Sequence, residues 1–172
     1  MAHDALPPSA WVLRWAPLIT HGTVLDVACG SGRHANYFLD RKIKVVAIDR
    51  EPQTIPGARF VQADLEDGSP WPLPGERFEG IVVTNYLYRP LLGILQESLA
   101  EGGVLIYETF MLGNERFGRP SNPEHLLRPG ELREAFSGLA VRGFEESEVD
   151  LPKPAMIQRL CAVRCGRDKI AG

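Results

Sequence analysis

Residues 24–32 read VLDVACGSG, and residues 45–51 read VVAIDRE. The first stretch is an apolar run that carries one acidic residue, Asp26, and breaks into a glycine-containing turn ahead of the helical pattern GRHANYFLDRK. A strand that turns on glycine into a helix leaves backbone N–H groups facing an open crevice. The second stretch is an apolar strand that ends in Asp49, about twenty residues on. Neither run shows polar alternation, which is the pattern of strands buried on both faces. Strand, helix and strand in this spacing make a βαβ unit and predict a parallel sheet.

Outward from that unit the alternation continues. ARFVQAD reads as a third strand, FEGIVVTN as a fourth and VLIYETF as a fifth, with PLLGILQESLA as a helix between the last two. Upstream, Ser9 is placed to cap an amphipathic segment, AWVLRWAPLIT, whose Trp11 and Trp15 share one face. Downstream, RPGELREAFSGL predicts a helix with Pro129 in its first turn, and LAVRGFEESEVDL with MIQRLCAVRCG predicts two antiparallel edge strands. REPQTIPGAR, with two prolines and a glycine, cannot hold a full crossover helix. The expected fold is therefore α/β, doubly wound and Rossmann-like: a mostly parallel seven-stranded sheet with an antiparallel C-terminal hairpin and a shortened second crossover. Residues 1–172 form one domain, with 1–8 as a loose arm and 111–128 as an active-site loop or lid.

The 172 residues are 44% hydrophobic, enough for one sizeable core, and the net charge of −3 gives no global pull toward nucleic acid or acidic membrane. The apolar runs are far short of the ~20 residues a membrane-spanning helix needs. Three cysteines without framework spacing, and no basic, apolar leader, make a reducing cytoplasm the expected compartment. Cys29 is read as a small packing residue in the turn, and Cys161 and Cys165 as two residues on one strand face without a second cluster, so no metal site is expected.

Gly30, Gly32 and Ala35 satisfy a relaxed dinucleotide fingerprint, and Asp49 satisfies its acidic rule. Asp26 decides between ligands. A pyrophosphate would meet an unwelcome carboxylate, whereas a cationic ligand such as S-adenosylmethionine, with its ammonium and sulfonium, would gain about 4 kcal/mol at ~4 Å in an effective dielectric near 20. The expected ligand is S-adenosylmethionine; a nicotinamide-dependent oxidoreductase and a non-catalytic S-adenosylmethionine-binding module are the alternatives.

DVACGSGR, VVAID, FVQADLED, FEGIVVTN and EGGVLIYETF together make the chain similar to the class I S-adenosylmethionine-dependent methyltransferases, over roughly Thr23 to Phe110. It also resembles, more loosely, small bacterial members related to the tellurite-resistance group. The resemblance implies that Asp26, Ala28, Gly30 and Gly32 form the first motif, that Asp49 and Arg50 lie at the ribose, and that Asp64 and Leu65 flank the adenine. Ala28 stands where the family often has glycine, which matters little if its φ is negative.

Ligands of open parallel sheets lie beyond the carboxyl ends of the strands, so Asn85, Tyr86, Tyr88, Arg89, Tyr107, Glu108 and Thr109 should surround the reaction. NYLY keeps Asn85 and an aromatic, Tyr88, at the spacing of enzymes that methylate planar amino groups, without their prolines. Asn114, Arg116, Arg119 and His125 fall in the long loop, where the arginines could grip an anion. Asn85, Tyr88, Glu108, Arg119 and His125 are the candidate catalytic residues, Asn85 also touching the cofactor. His34 is read as a helix-surface histidine. The expected activity is in-line methyl transfer to a small-molecule acceptor, driven mainly by positioning, with no nucleic-acid or membrane partner.

Overall fold

A computed structural model of the chain describes residues 6–166. β1 (Thr23–Val27), β2 (Lys44–Asp49), β3 (Arg59–Gln62), β4 (Phe78–Thr84), β5 (Leu99–Phe110), β6 (Ala140–Val149) and β7 (Ala155–Val163) form one seven-stranded sheet in the order β3-β2-β1-β4-β5-β7-β6. β1 through β5 are parallel, and β7 runs antiparallel to both β5 and β6. The expected architecture is present. α1 (Ala10–Trp15) and α2 (Arg33–Asp40) cover one face, where Trp11, Val12, Ala35 and Phe38 pack on Val24, Val45, Val82 and Ile106. α3 (Leu92–Glu97) and α4 (Glu131–Ala135) cover the other, where Leu95, Leu132 and Phe136 meet Leu25, Ile81, Val83 and Leu105. Successive residues of β1 thus point into two cores, which is why the strand shows no alternation.

No helix forms between β2 and β3. Ile55, 5% exposed, anchors this extended crossover under the glycine turn: a Cβ on Gly32 would lie 2.8 Å from Ile55 Cδ1. The two motifs that define the crevice are therefore packed against each other.

Several boundaries differ from the sequence reading. Pro17 has no N–H to continue α1, and Ala16–Leu18 tightens into a 3-10 turn. Ser98 closes α3 by donating from Oγ to the Ile94 carbonyl at 2.8 Å, so Leu99 and Ala100 open β5 instead of extending the helix. Pro129 lies one residue before the cap: Gly130, at φ 72°, ends the approach and α4 begins at Glu131. Cys165 lies beyond the end of β7 and does not share a strand with Cys161.

The expected loose arm meets α2 at Pro7, and Ser9 just beyond it meets His34. Pro7 accepts from Arg33 Nη1 at 2.9 Å, and the Ser9 N–H donates to His34 Nε2 at 3.0 Å; residues 1–5 lie outside the described part. Segment 111–128 is folded rather than open. It contains 3-10 turns at Asn114–Arg116 and Pro123–His125, a bridge between Met111 and Leu127, and the buried Leu126 and Leu127. Among the described residues no helix is long and apolar enough to cross a membrane.

Candidate active site

At the carboxyl ends of β1, β2 and β4 lies a cavity of about 430 Å³, bordered by Ala28, Asp49, Arg50, Asp64, Leu65 and Asn85. These six are all expected site residues, and the topology brings them together. Asp49 ends β2 with both oxygens engaged: Oδ2 accepts from the Gly30 N–H at 2.8 Å and Oδ1 from the Glu51 N–H at 2.9 Å. Each oxygen retains a lone pair for a hydroxyl. Asp64 Oδ1 accepts from the Glu66 N–H at 2.9 Å, which fixes the strand exit. Ala28 departs from expectation, with φ of 54° rather than negative, so the turn holds an alanine in left-handed backbone. Gly30, at φ 52°, has no protein atom within 4 Å of where a Cβ would stand, so the space beside it is open to a ligand.

Asp26 is not where the sequence reading put it. It is 2% exposed and does not border the cavity; its Oδ2 accepts from the Ala35 N–H at 3.1 Å, in the first turn of α2. Gly32, the N-cap of α2, has no side chain to offer, and Asp26 caps the helix from the strand below. Burial pushes its pKa up to about 7, against the lowering effects of the Ala35 N–H and Arg33. His34 is likewise buried, 2% exposed, rather than on the helix surface. Burial, with the Arg33 charge, holds its pKa down at about 3, so it is neutral and accepts from Ser9.

These two groups act oppositely on stability. The folded chain binds the Asp26 proton more tightly than the unfolded chain does, so this contribution falls as pH rises from about 4 to about 7. The unfolded chain protonates His34 first, so that contribution falls as pH drops from about 6.5 toward 3. Between pH 4.5 and 6.5 the slopes cancel. Asp26→Asn leaves the His34 slope alone, and its urea-derived stability should fall on acidification across this window by up to about 1.4 kcal/mol per pH unit more than the parent's. Parallel profiles for the two proteins would show that Asp26 is ionised throughout.

A second cavity, about 600 Å³ and largely apolar, adjoins the first. Asn85 and Phe110 border both. Asn85 sits at φ 54°, and its N–H donates to the Glu108 carbonyl at 2.9 Å, so the end of β5 aims it at the junction. Glu108 lines the second cavity; its Oε2 accepts from Arg159 Nε at 2.7 Å and from Ser9 Oγ at 3.2 Å. Ser9, Arg33, Arg159 and the 149–153 hairpin tip complete the wall, and sequence reasoning missed all of them as site residues.

Other candidates lie elsewhere. Tyr88 borders a different cavity of about 580 Å³ with Trp71 and Pro72, away from Glu108. Tyr107 is core, donating from Oη to the Tyr86 carbonyl at 2.8 Å, and Arg89 is bound to Glu131. His125 borders the first cavity, as do Tyr86 and Thr109. Arg119 borders none of these cavities. Asn114, 1% exposed, donates to Pro120 O at 2.9 Å and accepts from the Met156 N–H at 3.0 Å, and Arg116 pairs with Glu148 at 2.8 Å. Neither is free to grip a ligand. Cys29 packs as expected, 6% exposed.

Residues 25–89 match the family described as a methyltransferase domain. No curated protein matches the chain. Among solved structures, TehB from Haemophilus influenzae superposes with a TM-score of 0.74 at 16% identity, covering 94% of this chain and 63% of that one. The chain thus spans less than two thirds of that protein's length. The 1,6-didemethyltoxoflavin-N1-methyltransferase of Burkholderia thailandensis, solved with 1,6-didemethyltoxoflavin and S-adenosylhomocysteine, gives 0.66 at 19% identity, covering 91% of this chain and 77% of that one. N-methyltransferase NodS from Bradyrhizobium japonicum WM9, in complex with S-adenosylhomocysteine, gives 0.65 at 16%, covering 95% and 93%. The superpositions share the fold, and the match over 25–89 spans the motifs from β1 to the turn after β4.

Proposed function

We propose that this chain, a class I S-adenosylmethionine-dependent methyltransferase, moves the methyl group to a small-molecule acceptor held in the second cavity. The observation that carries the reading is the meeting of the two cavities at Asn85 and Phe110. One cavity fits the donor and the other an acceptor of drug-like size, and among the described residues they share Asn85 and Phe110.

The first cavity suits S-adenosylmethionine by its donor set. Asp49 offers carboxylate oxygens to the ribose hydroxyls, and Leu65 and Asp64 offer an apolar contact and an acceptor to the adenine. Asp26 acts from below by setting the position of α2. When bound, S-adenosylmethionine supplies a methyl group activated by its sulfonium. The residues of the chain supply alignment, which can contribute about 7–11 kcal/mol without a base. Glu108 Oε1, without a partner among the described residues while Oε2 is held by Ser9 and Arg159, can accept from the acceptor's N–H or O–H. Pro120 and His125 wall the donor cavity, so we assign segment 111–128 to covering the donor rather than gripping the acceptor.

The largely apolar lining of the second cavity favours a small molecule over a nucleic acid, whose backbone needs a basic track. Transfer of label from methyl-labelled S-adenosylmethionine into the small-molecule fraction of a cell extract is the expected result. Asn85→Ala should lower that rate at least tenfold while S-adenosylhomocysteine still binds.

A further inference from the structure

The second cavity joins an aliphatic wall with an excess of cations. Leu6, Val149, Leu151 and Ile157 supply the wall. Arg33, Lys153 and Arg159 line it against one carboxylate, Glu108. Glu145, outside the cavity, takes only a 3.4 Å share of Arg159 Nη1. Even with Glu145 counted, the set is positive.

These cations are not used up by the protein. Arg159 spends Nε on Glu108 at 2.7 Å and has its Nη2 free of any hydrogen-bond partner among the described residues. Arg33 spends Nη1 on the Pro7 carbonyl at 2.9 Å. Lys153 makes no ion pair and no side-chain hydrogen bond among the described residues. Leu6 and Leu151 are themselves 56% and 83% exposed, so an apolar acceptor would cover them as it bound.

We propose that the second cavity selects acceptors that combine an apolar body with an anionic group, held by Arg33, Lys153 and Arg159 while the group to be methylated lies at Asn85. The proposal rests on the methyltransferase reading above. The volume of about 600 Å³ suits one organic molecule of drug-like size. An ammonium-bearing acceptor would meet three like charges, and a bare inorganic oxyanion would leave the aliphatic wall without contacts. The cations orient the anion, and Glu108, whose Oε2 is paired with Arg159, offers Oε1 to the acceptor's N–H or O–H.

The test uses the full chain saturated with S-adenosylhomocysteine, so that the donor cavity is filled before the probe is added. The probes are 2-naphthoate, indole-3-acetate and 4-phenylbutyrate, each titrated by calorimetry beside its own primary amide. The expected result is that at least one carboxylate binds, and binds about tenfold more tightly than its amide. In Lys153→Gln and in Arg33→Gln that ratio should fall to about twofold to threefold, with S-adenosylhomocysteine affinity retained. Higher salt should shrink the parent's ratio. An amide that binds as tightly as its carboxylate, or no binding by any carboxylate, overturns the proposal. Failure of the parent to bind S-adenosylhomocysteine would instead overturn the reading beneath it, and the proposal with it.

Discussion

Asp49→Ala should weaken S-adenosylmethionine binding at least a hundredfold. Two ribose hydroxyl bonds to a carboxylate, at about 1.5–3 kcal/mol each, already sum to more than two decades in affinity. The structure adds a second loss. Asp49 Oδ2 holds the Gly30 N–H at 2.8 Å and Oδ1 holds Glu51 N–H at 2.9 Å, so alanine also releases the turn that shapes the donor cavity. Asp49→Asn keeps one acceptor and should fall between alanine and the parent. Calorimetric titration of the three proteins checks the series. Affinities within threefold of one another would mean that β2 does not end at the ribose.

Arg89→Ala should destabilise the fold by about 3 kcal/mol. Its guanidinium donates to both Glu131 oxygens, at 2.7 and 3.0 Å, and to the Leu126 and Glu124 carbonyls, at 2.8 and 2.9 Å. Glu131 has a side chain only 6% exposed. Burial alone would raise its pKa, yet the Arg89 hydrogen bonds and the Arg128 N–H hold it below the ordinary carboxylate range. Without Arg89 the buried carboxylate keeps only Arg128, with Nε at 3.4 Å and the backbone N–H at 2.9 Å. That leftover partner and the partial exposure of Arg89 place the expected loss at the lower end for a broken buried pair. Urea unfolding measures the loss, and the double variant Arg89→Ala with Glu131→Gln should recover part of it. A loss below about 1 kcal/mol would show that segment 123–131 is held by its apolar contacts alone. Because His125 lies in that segment and borders the donor cavity, the single variant should also bind S-adenosylhomocysteine more weakly.

The central βαβ unit was readable because burial on both faces leaves a direct trace in composition: Val24 to Val27 and Val45 to Ile48 face two cores at once. The strand end then fixes Asp49, and the same logic places Asp64 and Asn85. Depth is not written in the same way. Asp26 falls in the right motif, but whether a carboxylate faces the crevice or lies beneath it depends on Gly32 having no side chain with which to cap α2. His34 lies equally deep, and its partner is the Ser9 N–H, 25 residues away, which no local pattern marks.

The second cavity was the least legible part. Its wall depends on Glu108 facing Arg159 across β5 and β7, 51 residues apart, and on Ser9 reaching Glu108 across 99. Only the antiparallel register of the C-terminal hairpin brings those side chains together. A long loop rich in Asn, Arg and His drew attention instead, and Asn114 and Arg116 turned out to hold it down. The hairpin itself was predicted; the charge pair it creates needs the strand order.

The claim that a donor site and an acceptor site meet at Asn85 is tested most directly by methyl transfer. The purified chain, methyl-labelled S-adenosylmethionine and the small-molecule fraction of a cell extract should give a labelled small product, and Asn85→Ala should slow its formation at least tenfold while still binding S-adenosylhomocysteine. No labelled small molecule, or an unchanged rate in Asn85→Ala, would contradict it.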